Sequence, residues 1–281
     1  MSSRGVEVLS PELDITDANA VSSFVEANEF DVVVHLAAIS SVARCESEPS
    51  LAFRVNTEGT YFLASAVARK SAKIHFVFPS TGQVYSSGLA ESGDHVYVEG
   101  DKVTPRNVYA LSKYLAEESL RIISENTGMT VTALRVFNHV HKSQRPDFYL
   151  ASVYRQLVIA SEDGSTEAEV VVGNIDIERD FGAIQDLLIL FEKVIFSPPV
   201  AVGSMNIFNL SSGVGKNLKK LAYALADRMK IKIKFVENPS LKRSEPHRIV
   251  AGNDKLMKAY GWAPVRASDE ASLVDAFLES L

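Results

Sequence analysis

Ile74-His75-Phe76-Val77-Phe78-Pro79-Ser80-Thr81-Gly82-Gln83-Val84-Tyr85 opens as an apolar run and breaks into a hydroxyl-bearing turn. A strand apolar along most of its length suits a parallel sheet covered by helices on both faces. Open α/β sheets bind ligands just past the carboxyl ends of such strands, where Ser80 and Thr81 fall. Asp31-Val32-Val33-Val34-His35-Leu36-Ala37-Ala38 repeats the pattern upstream. Outward from these two stretches, β-branched runs alternate with amphipathic ones, which predicts an α/β fold with a parallel sheet. Strands are expected at 6–9, 31–36, 74–78, 131–136, 170–172, 206–210 and 231–236. Helices are expected at 49–70, 107–126, 148–161, 185–196, 217–229 and 269–281, several begun by Asp, Asn or Pro. The strands at 31–36 and 74–78 are expected in the middle of the sheet.

The composition is that of a globular chain of 281 residues: 46% hydrophobic, 23% charged, 15 glycines and 10 prolines. No apolar run reaches the roughly 18 residues of a membrane helix. The single Cys45 excludes an internal disulfide, and no secretory apolar core follows Met1, so a cytoplasmic address is expected. A net charge of −6 argues against nucleic acid and anionic lipid as partners. The lysines between 216 and 234 are spread over a helix and an alternating strand and read as a solvated face. Polar loops lengthen at 141–146, 161–168 and 238–246, which suggests a smaller, loop-rich second lobe.

Tyr109-Ala110-Leu111-Ser112-Lys113 sets a phenol and an ammonium four residues apart, on one helix face. A neighbouring ammonium favours phenolate, so Lys113 is expected to lower the Tyr109 pKa toward neutrality. By itself the spacing is weak evidence and fits better a half-buried tyrosine beside a solvated lysine. Thr81 supplies a third group, a hydroxyl able to donate to a carbonyl oxygen or, alternatively, to close a turn.

Taken in order, these residues resemble the extended short-chain dehydrogenase/reductases, in the epimerase/dehydratase-like branch that acts on nucleotide-linked sugars. The resemblance rests on Leu13-Asp14-Ile15-Thr16-Asp17, the 31–38 stretch, Val55-Asn56-Thr57-Glu58-Gly59-Thr60, the 80–85 turn and the Tyr109/Lys113 pair. It implies a Rossmann-like, doubly wound sheet formed by 1–137 and 180–212, and a nucleotide-sugar part formed by 138–179 and 213–281. It also implies that Asp14 and Ile15 line the adenine of NAD or NADP, that Ala37 and Ala38 let the cofactor approach, and that Asn56 supports the active site. Thr81, Tyr109 and Lys113 become the catalytic triad, and a homodimer is implied through the helices of Asn56 and Tyr109.

The second half is similar to GDP-4-keto-6-deoxy-D-mannose reductases and their dehydratase relatives. Arg135-Val136-Phe137-Asn138-His139, Val172 to Asp176, Arg179-Asp180-Phe181, and Arg243 to Arg248 carry that likeness. It implies that Asn138 and Arg179 contact the sugar nucleotide and that Arg248 pairs with its diphosphate, a task suited to a guanidinium fork. Arg243 is a further candidate. His141-Lys142-Ser143-Gln144 departs from the reductases' Gly-Pro-Gly-Gln.

Dehydratases of this kind carry an Asp-Glu pair after the threonine. Here Gly82-Gln83 stands in that place, and neither residue can act as acid or base. Reduction of a GDP-linked 4-keto-6-deoxy sugar by NADH or NADPH is therefore the expected reaction. A 4-epimerase would use the same triad, and a non-catalytic nucleotide-sugar-binding or regulatory protein is the alternative of another class. That alternative arises because no glycine-rich phosphate-binding turn occurs anywhere in the sequence. The branch's first strand and turn are absent ahead of 6–9, and an N-terminal piece missing from the chain is the expected explanation. Their absence should leave an apolar slot in the sheet. Glu12, after the 6–9 run, would mildly favour NAD and equally reads as a loop residue. His139 and His141 lack a third ligand for a metal, Cys45 reads as structural, and Trp262 as a packing anchor.

Overall fold

The computed structural model describes residues 5–85, 95–197, 203–242 and 246–280. Arg243 lies outside them. Strands run β1 (Val32–Val34), β2 (His75–Thr81), β3 (Val96–Tyr97), β4 (Val131–Val136), β5 (Asn138–Val140), β6 (Glu167–Val172), β7 (Glu178–Ala183), β8 (Met205–Leu210), β9 (Gly215–Asn217), β10 (Lys232–Glu237) and β11 (Arg248–Ala251). Helices are α1 (Ala18–Ala27), α2 (Val42–Ser47), α3 (Pro49–Phe53), α4 (Thr60–Lys70), α5 (Val108–Thr127), α6 (Tyr149–Glu162), α7 (Ile184–Phe196), α8 (Leu218–Met229), α9 (Asp254–Tyr260) and α10 (Glu270–Glu279). The α/β class stands. Two compact units form, one from Met1–Val84, Thr104–Val136 and Leu190–Phe208, the other from Tyr85–Val103, Phe137–Ile189 and Asn209–Leu281.

The first unit holds a sheet in the order β1-β2-β4-β8, parallel from β1 through β4. Phe78 pairs with Ala133 and Thr81 with Val136. Phe76, Phe78, Val131 and Ala133 pack with Val21, Val25, Ala64, Val67, Ala116 and Leu120 of α1, α4 and α5 in one buried cluster. Each fully buried phenylalanine contributes about 1.5–3 kcal/mol of transfer free energy. Helix α5 starts where Asn107 Oδ1 accepts from the Ala110 amide at 2.7 Å and ends at Gly128, whose φ of 74° closes the last turn.

Three expectations are corrected here. Residues 6–9 form no strand, and Val8 is 63% exposed. The 31–36 strand shortens to three residues and stands at the edge, not the centre, because among the described residues β2 alone pairs with it. Leu36, just past the strand, is 69% exposed. The long 49–70 helix is interrupted by a π-helical stretch, Arg54–Gly59, which carries Asn56. A Cβ on Gly59 would meet Ile15 Cδ1 and Cγ1 at 2.8 Å, so glycine lets the 13–16 loop lie directly on this helix.

The second unit contains β3-β11-β7-β5, with β9 antiparallel to β7, and a separate β10-β6 pair. Its core gathers Leu150, Val153, Val170, Phe181, Leu221, Leu225, Val274 and Phe277. Asp180 is buried and ties β7 to the 212–213 turn, accepting from Ser212 N and Oγ at 2.7 Å and from Gly213 N at 3.1 Å. Trp262 is buried and donates from Nε1 to Asp186 O, the anchor the sequence suggested. Strands β3, β5, β7, β9 and β11 were not expected, because they are short or polar and leave no β-branched run.

Candidate active site

Strand β2 delivers Thr81 to the carboxyl end of the first unit's sheet, and the first turn of α5 brings Tyr109 to it. The Thr81 hydroxyl lies close enough to the Tyr109 phenol to act on its proton affinity. Thr81 Oγ1 also accepts from the Gln83 amide at 3.2 Å, which fixes the turn. Asn107 donates from Nδ2 to Gln83 Oε1 at 3.0 Å, so the residue that caps α5 also holds the loop after β2. Lys113, one turn beyond Tyr109, is buried, with Nζ 3.9 Å from the centroid of Phe78.

The protonation states run against the expected order. Burial raises the Tyr109 phenol to about 12, partly opposed by the nearby Thr81 hydroxyl. Lys113 is the group that burial moves, down to about 7, with Glu117 pulling the other way. The expectation that Lys113 lowers the Tyr109 pKa is thus corrected: desolvation dominates both groups, and it disfavours whichever form is charged.

A network that the sequence reading named only through Asn56 holds this turn. Asn56 is buried and faces both ways: Oδ1 accepts from Ile39 N at 2.8 Å, while Nδ2 donates to Ile39 O and Ser112 Oγ at 3.0 Å. Ser112 Oγ donates to Tyr109 O, and Thr57 Oγ1 donates to Ser112 O. The π-helical stretch therefore clamps the Tyr109–Lys113 turn to the loop after β1. Ser112 and Thr57 were missed, although Ser112 sits between the two residues already singled out. Cys45 is buried and donates from Sγ to Ile39 O at 3.4 Å, in a cluster against which Tyr109 packs, consistent with a structural thiol. His35, also missed, is buried beside Phe78 and bonds Thr60 through Nε2 at 3.0 Å. Its desolvation pushes the imidazole down to about 3.

Ala37 and Ala38 lie exposed on the loop after β1. Asp14 is exposed and closes a turn, accepting from Thr16 N and Oγ1 at 2.9 and 2.8 Å, while Ile15 is buried. In the second unit, Asn138 Nδ2 donates to Asp180 O. Arg179 is buried and donates from Nη1 to Glu178 O at 2.7 Å and to His247 O at 3.3 Å. Arg248 Nε lies 3.4 Å from Glu178. No metal-binding cluster of His, Cys, Asp and Glu occurs among the described residues.

A family model described as GDP-mannose 4,6 dehydratase matches residues 7–272. The chain belongs to this family. Within the family of GDP-mannose 4,6 dehydratase, an extended short-chain dehydrogenase/reductase group, all the motifs quoted above from Leu13 to Arg248 fall inside the matched span. The chain is 29% identical over 235 residues to a GDP-6-deoxy-D-mannose reductase of Pseudomonas aeruginosa, covering 83% of this chain and 75% of that one. It is 26% identical over 245 residues to a probable UDP-arabinose 4-epimerase of Arabidopsis thaliana, covering 79% of this chain and 56% of the relative. A solved structure of RMD from Pseudomonas aeruginosa in complex with NADPH superposes with a TM-score of 0.82 at 26% identity, covering 97% of this chain and 88% of that one.

Proposed function

We propose that the protein reduces the 4-keto group of a nucleotide-linked 4-keto-6-deoxy sugar, GDP-linked, with NADH or NADPH as hydride donor. The observation that carries this reading is Thr81 and Tyr109 brought close together at the sheet's carboxyl end, with Gln83 where an acid would be needed for dehydration. A phenol held at about 12 is fully protonated at neutral pH and has a proton to give. As the carbonyl oxygen gains charge, Thr81 and Tyr109 donate hydrogen bonds to it, and Tyr109 then transfers its proton. The bound nicotinamide supplies the hydride.

The residues fit such a cofactor at its nicotinamide end. Lys113 Nζ is buried with no ion-pair partner among the described residues, suited to ribose hydroxyls, and Ser80 Oγ is buried without a hydrogen-bond partner. Ala37 and Ala38 offer a loop without bulky side chains, and Asp14 and Ile15 are assigned to the adenine. Asn138, Arg179 and Arg248 are assigned to the nucleotide sugar. A homodimer and a cytoplasmic address belong to the same proposal. Tyr61, Leu111, Leu115 and Ile122 leave an exposed apolar face on α4 and α5, with a groove of ≈ 300 Å³ beside Tyr61 and Ile122, which suits a second copy.

A second reading is binding of the nucleotide sugar without turnover. The deciding experiment mixes the purified protein with GDP-4-keto-6-deoxymannose and either reduced nicotinamide. Loss of nicotinamide absorbance with formation of a 6-deoxyhexose supports reduction. Calorimetric binding of GDP-sugars with no oxidation rejects it in favour of the second reading.

A further inference from the structure

Glu117 follows Lys113 by four residues on α5, the spacing at which an ammonium and a carboxylate on one helix face ordinarily pair. Both are buried, at 3% and 1% exposure. Yet Lys113 has no ion-pair partner among the described residues and rests against the Phe78 ring. Glu117 is taken by Arg135 of β4. Oε2 accepts from Nη2 at 2.8 Å and from Nε at 3.3 Å, and Oε1 accepts from Nε at 3.2 Å. A planar guanidinium fork engages both carboxylate oxygens in a way a lysine cannot.

We propose that Arg135 is a positioning residue: by holding Glu117 in a two-oxygen ion pair it denies that carboxylate to Lys113, which leaves the ammonium over Phe78 and unpaired on the Tyr109 face of α5. The consequence for turnover rests on the reductase reading, whereas the competition for Glu117 stands on the geometry alone. An ammonium locked to Glu117 would be drawn away from Tyr109 toward the next turn of the helix. An unpaired one keeps its three donors for a ligand's hydroxyls.

Few other charges bear on Lys113. Tyr109 shares its helix face. His35, at the end of β1, is neutral through burial. Glu46 of α2 spends its carboxylate on the Val108 amide, Arg54 and Glu58 are exposed, as is Arg69 of α4, and His75 lies six residues before Thr81 at the far end of β2. Glu117 is the acid that acts on Lys113, raising a pKa that burial lowers to about 7.

The test reads the lysine itself. Protein labelled with ¹³Cε-lysine is titrated by NMR, with the Lys113 signal assigned by its loss in Lys113→Arg. In Arg135→Gln, Glu117 is left with Lys113 as its cation, and the Lys113 titration moves up by a full unit or more, a tenfold gain in proton affinity. In Glu117→Gln it moves down. Arg135→Lys, which keeps a buried cation but loses the two-oxygen fork, serves if Arg135→Gln does not fold, and in it the Lys113 titration also moves up, by less. A Lys113 titration that stays in place in the variants, or that moves the same way in Arg135→Gln and Glu117→Gln, overturns the proposal. If the titrations move as stated but the wild-type protein reduces no ketone, the reductase reading fails and this inference stands. If ketone is reduced and the titrations do not move, the reverse holds.

Discussion

Replacing Asn56 by alanine tests whether the clamp on the Tyr109–Lys113 turn stabilises the first unit as its hydrogen bonds indicate. Three buried bonds vanish together, to Ile39 N, Ile39 O and Ser112 Oγ. They do not cost equally. Ser112 Oγ keeps its bond to Tyr109 O, and Ile39 O keeps the long, weak one from Cys45 Sγ. The Ile39 amide is left buried with nothing to accept its hydrogen, a desolvation penalty of about 1–3 kcal/mol, and the other two bonds contribute about 0.5–1.5 kcal/mol each. The variant should therefore lose about 2–6 kcal/mol, read as a lower urea midpoint at unchanged slope, the signature of lost stability in a folded protein. Asn56→Asp separates the two directions of the clamp, since a carboxylate still accepts from Ile39 N but faces Ile39 O with no donor. It should lose at least as much. A change within about 0.5 kcal/mol for Asn56→Ala, the range of an ordinary surface substitution, would refute the clamp.

Tyr109→Phe removes the transferable proton and the Thr81 partner while keeping the ring in its cluster, so turnover should vanish and calorimetric binding of the nucleotide sugar should persist; loss of both would show that the phenol's role has been misread. Gly59→Ala drives a methyl group to 2.8 Å from Ile15, and overpacking of about 1–3 kcal/mol should lower the melting temperature by several degrees, whereas an unchanged melting temperature would mean that the 13–16 loop is free to lift. His35 and His75 are held by burial at about 3 and about 4. Because their folded pKa values lie below the unfolded value near 6.5, their neutral forms stabilise the fold above pH 6.5, and that stability is lost as pH falls toward 4, at up to about 1.4 kcal/mol per pH unit for each. Urea midpoints compared at pH 7 and pH 5 should show the loss, and His75→Gln should make it shallower; an equal slope in the variant would exclude His75 as a source.

The strands and helices legible in the sequence are those in which one local signal suffices. Val131–Val136 is β-branched and buried, and its bounds match the expectation. Helices α5, α8 and α10 are announced by Asn107, Asn217 and Asp269, each of which caps the helix with its side chain. What stayed hidden depends on partners distant in the chain. Glu178-Arg179-Asp180 gives no strand signal, because Asp180 is buried by hydrogen bonds from Ser212 and Gly213, not by apolar contact. The π-helical widening at Arg54–Gly59 is equally invisible in a helical pattern, yet it carries Asn56. The edge position of β1 follows from which strands are available to pair, and apolar character cannot report that. Val32-Val33-Val34 reads as a central strand and stands at a margin.

The Tyr109/Lys113 pair marks the boundary of sequence reasoning more sharply. Spacing of four on a helix fixes how far apart two Cβ atoms sit; it does not fix the dielectric around the groups they carry. Were the Coulomb interaction dominant, the ammonium would lower the phenol. In the folded protein Phe78, a residue thirty-five positions from Lys113, removes the ammonium from water, and burial moves both groups toward their neutral forms. A phenol held at about 12 is protonated at neutral pH, so in the proposed reaction Tyr109 enters turnover as the acid, and it is the apolar surroundings of Tyr109 and Lys113, which their spacing cannot report, that set this.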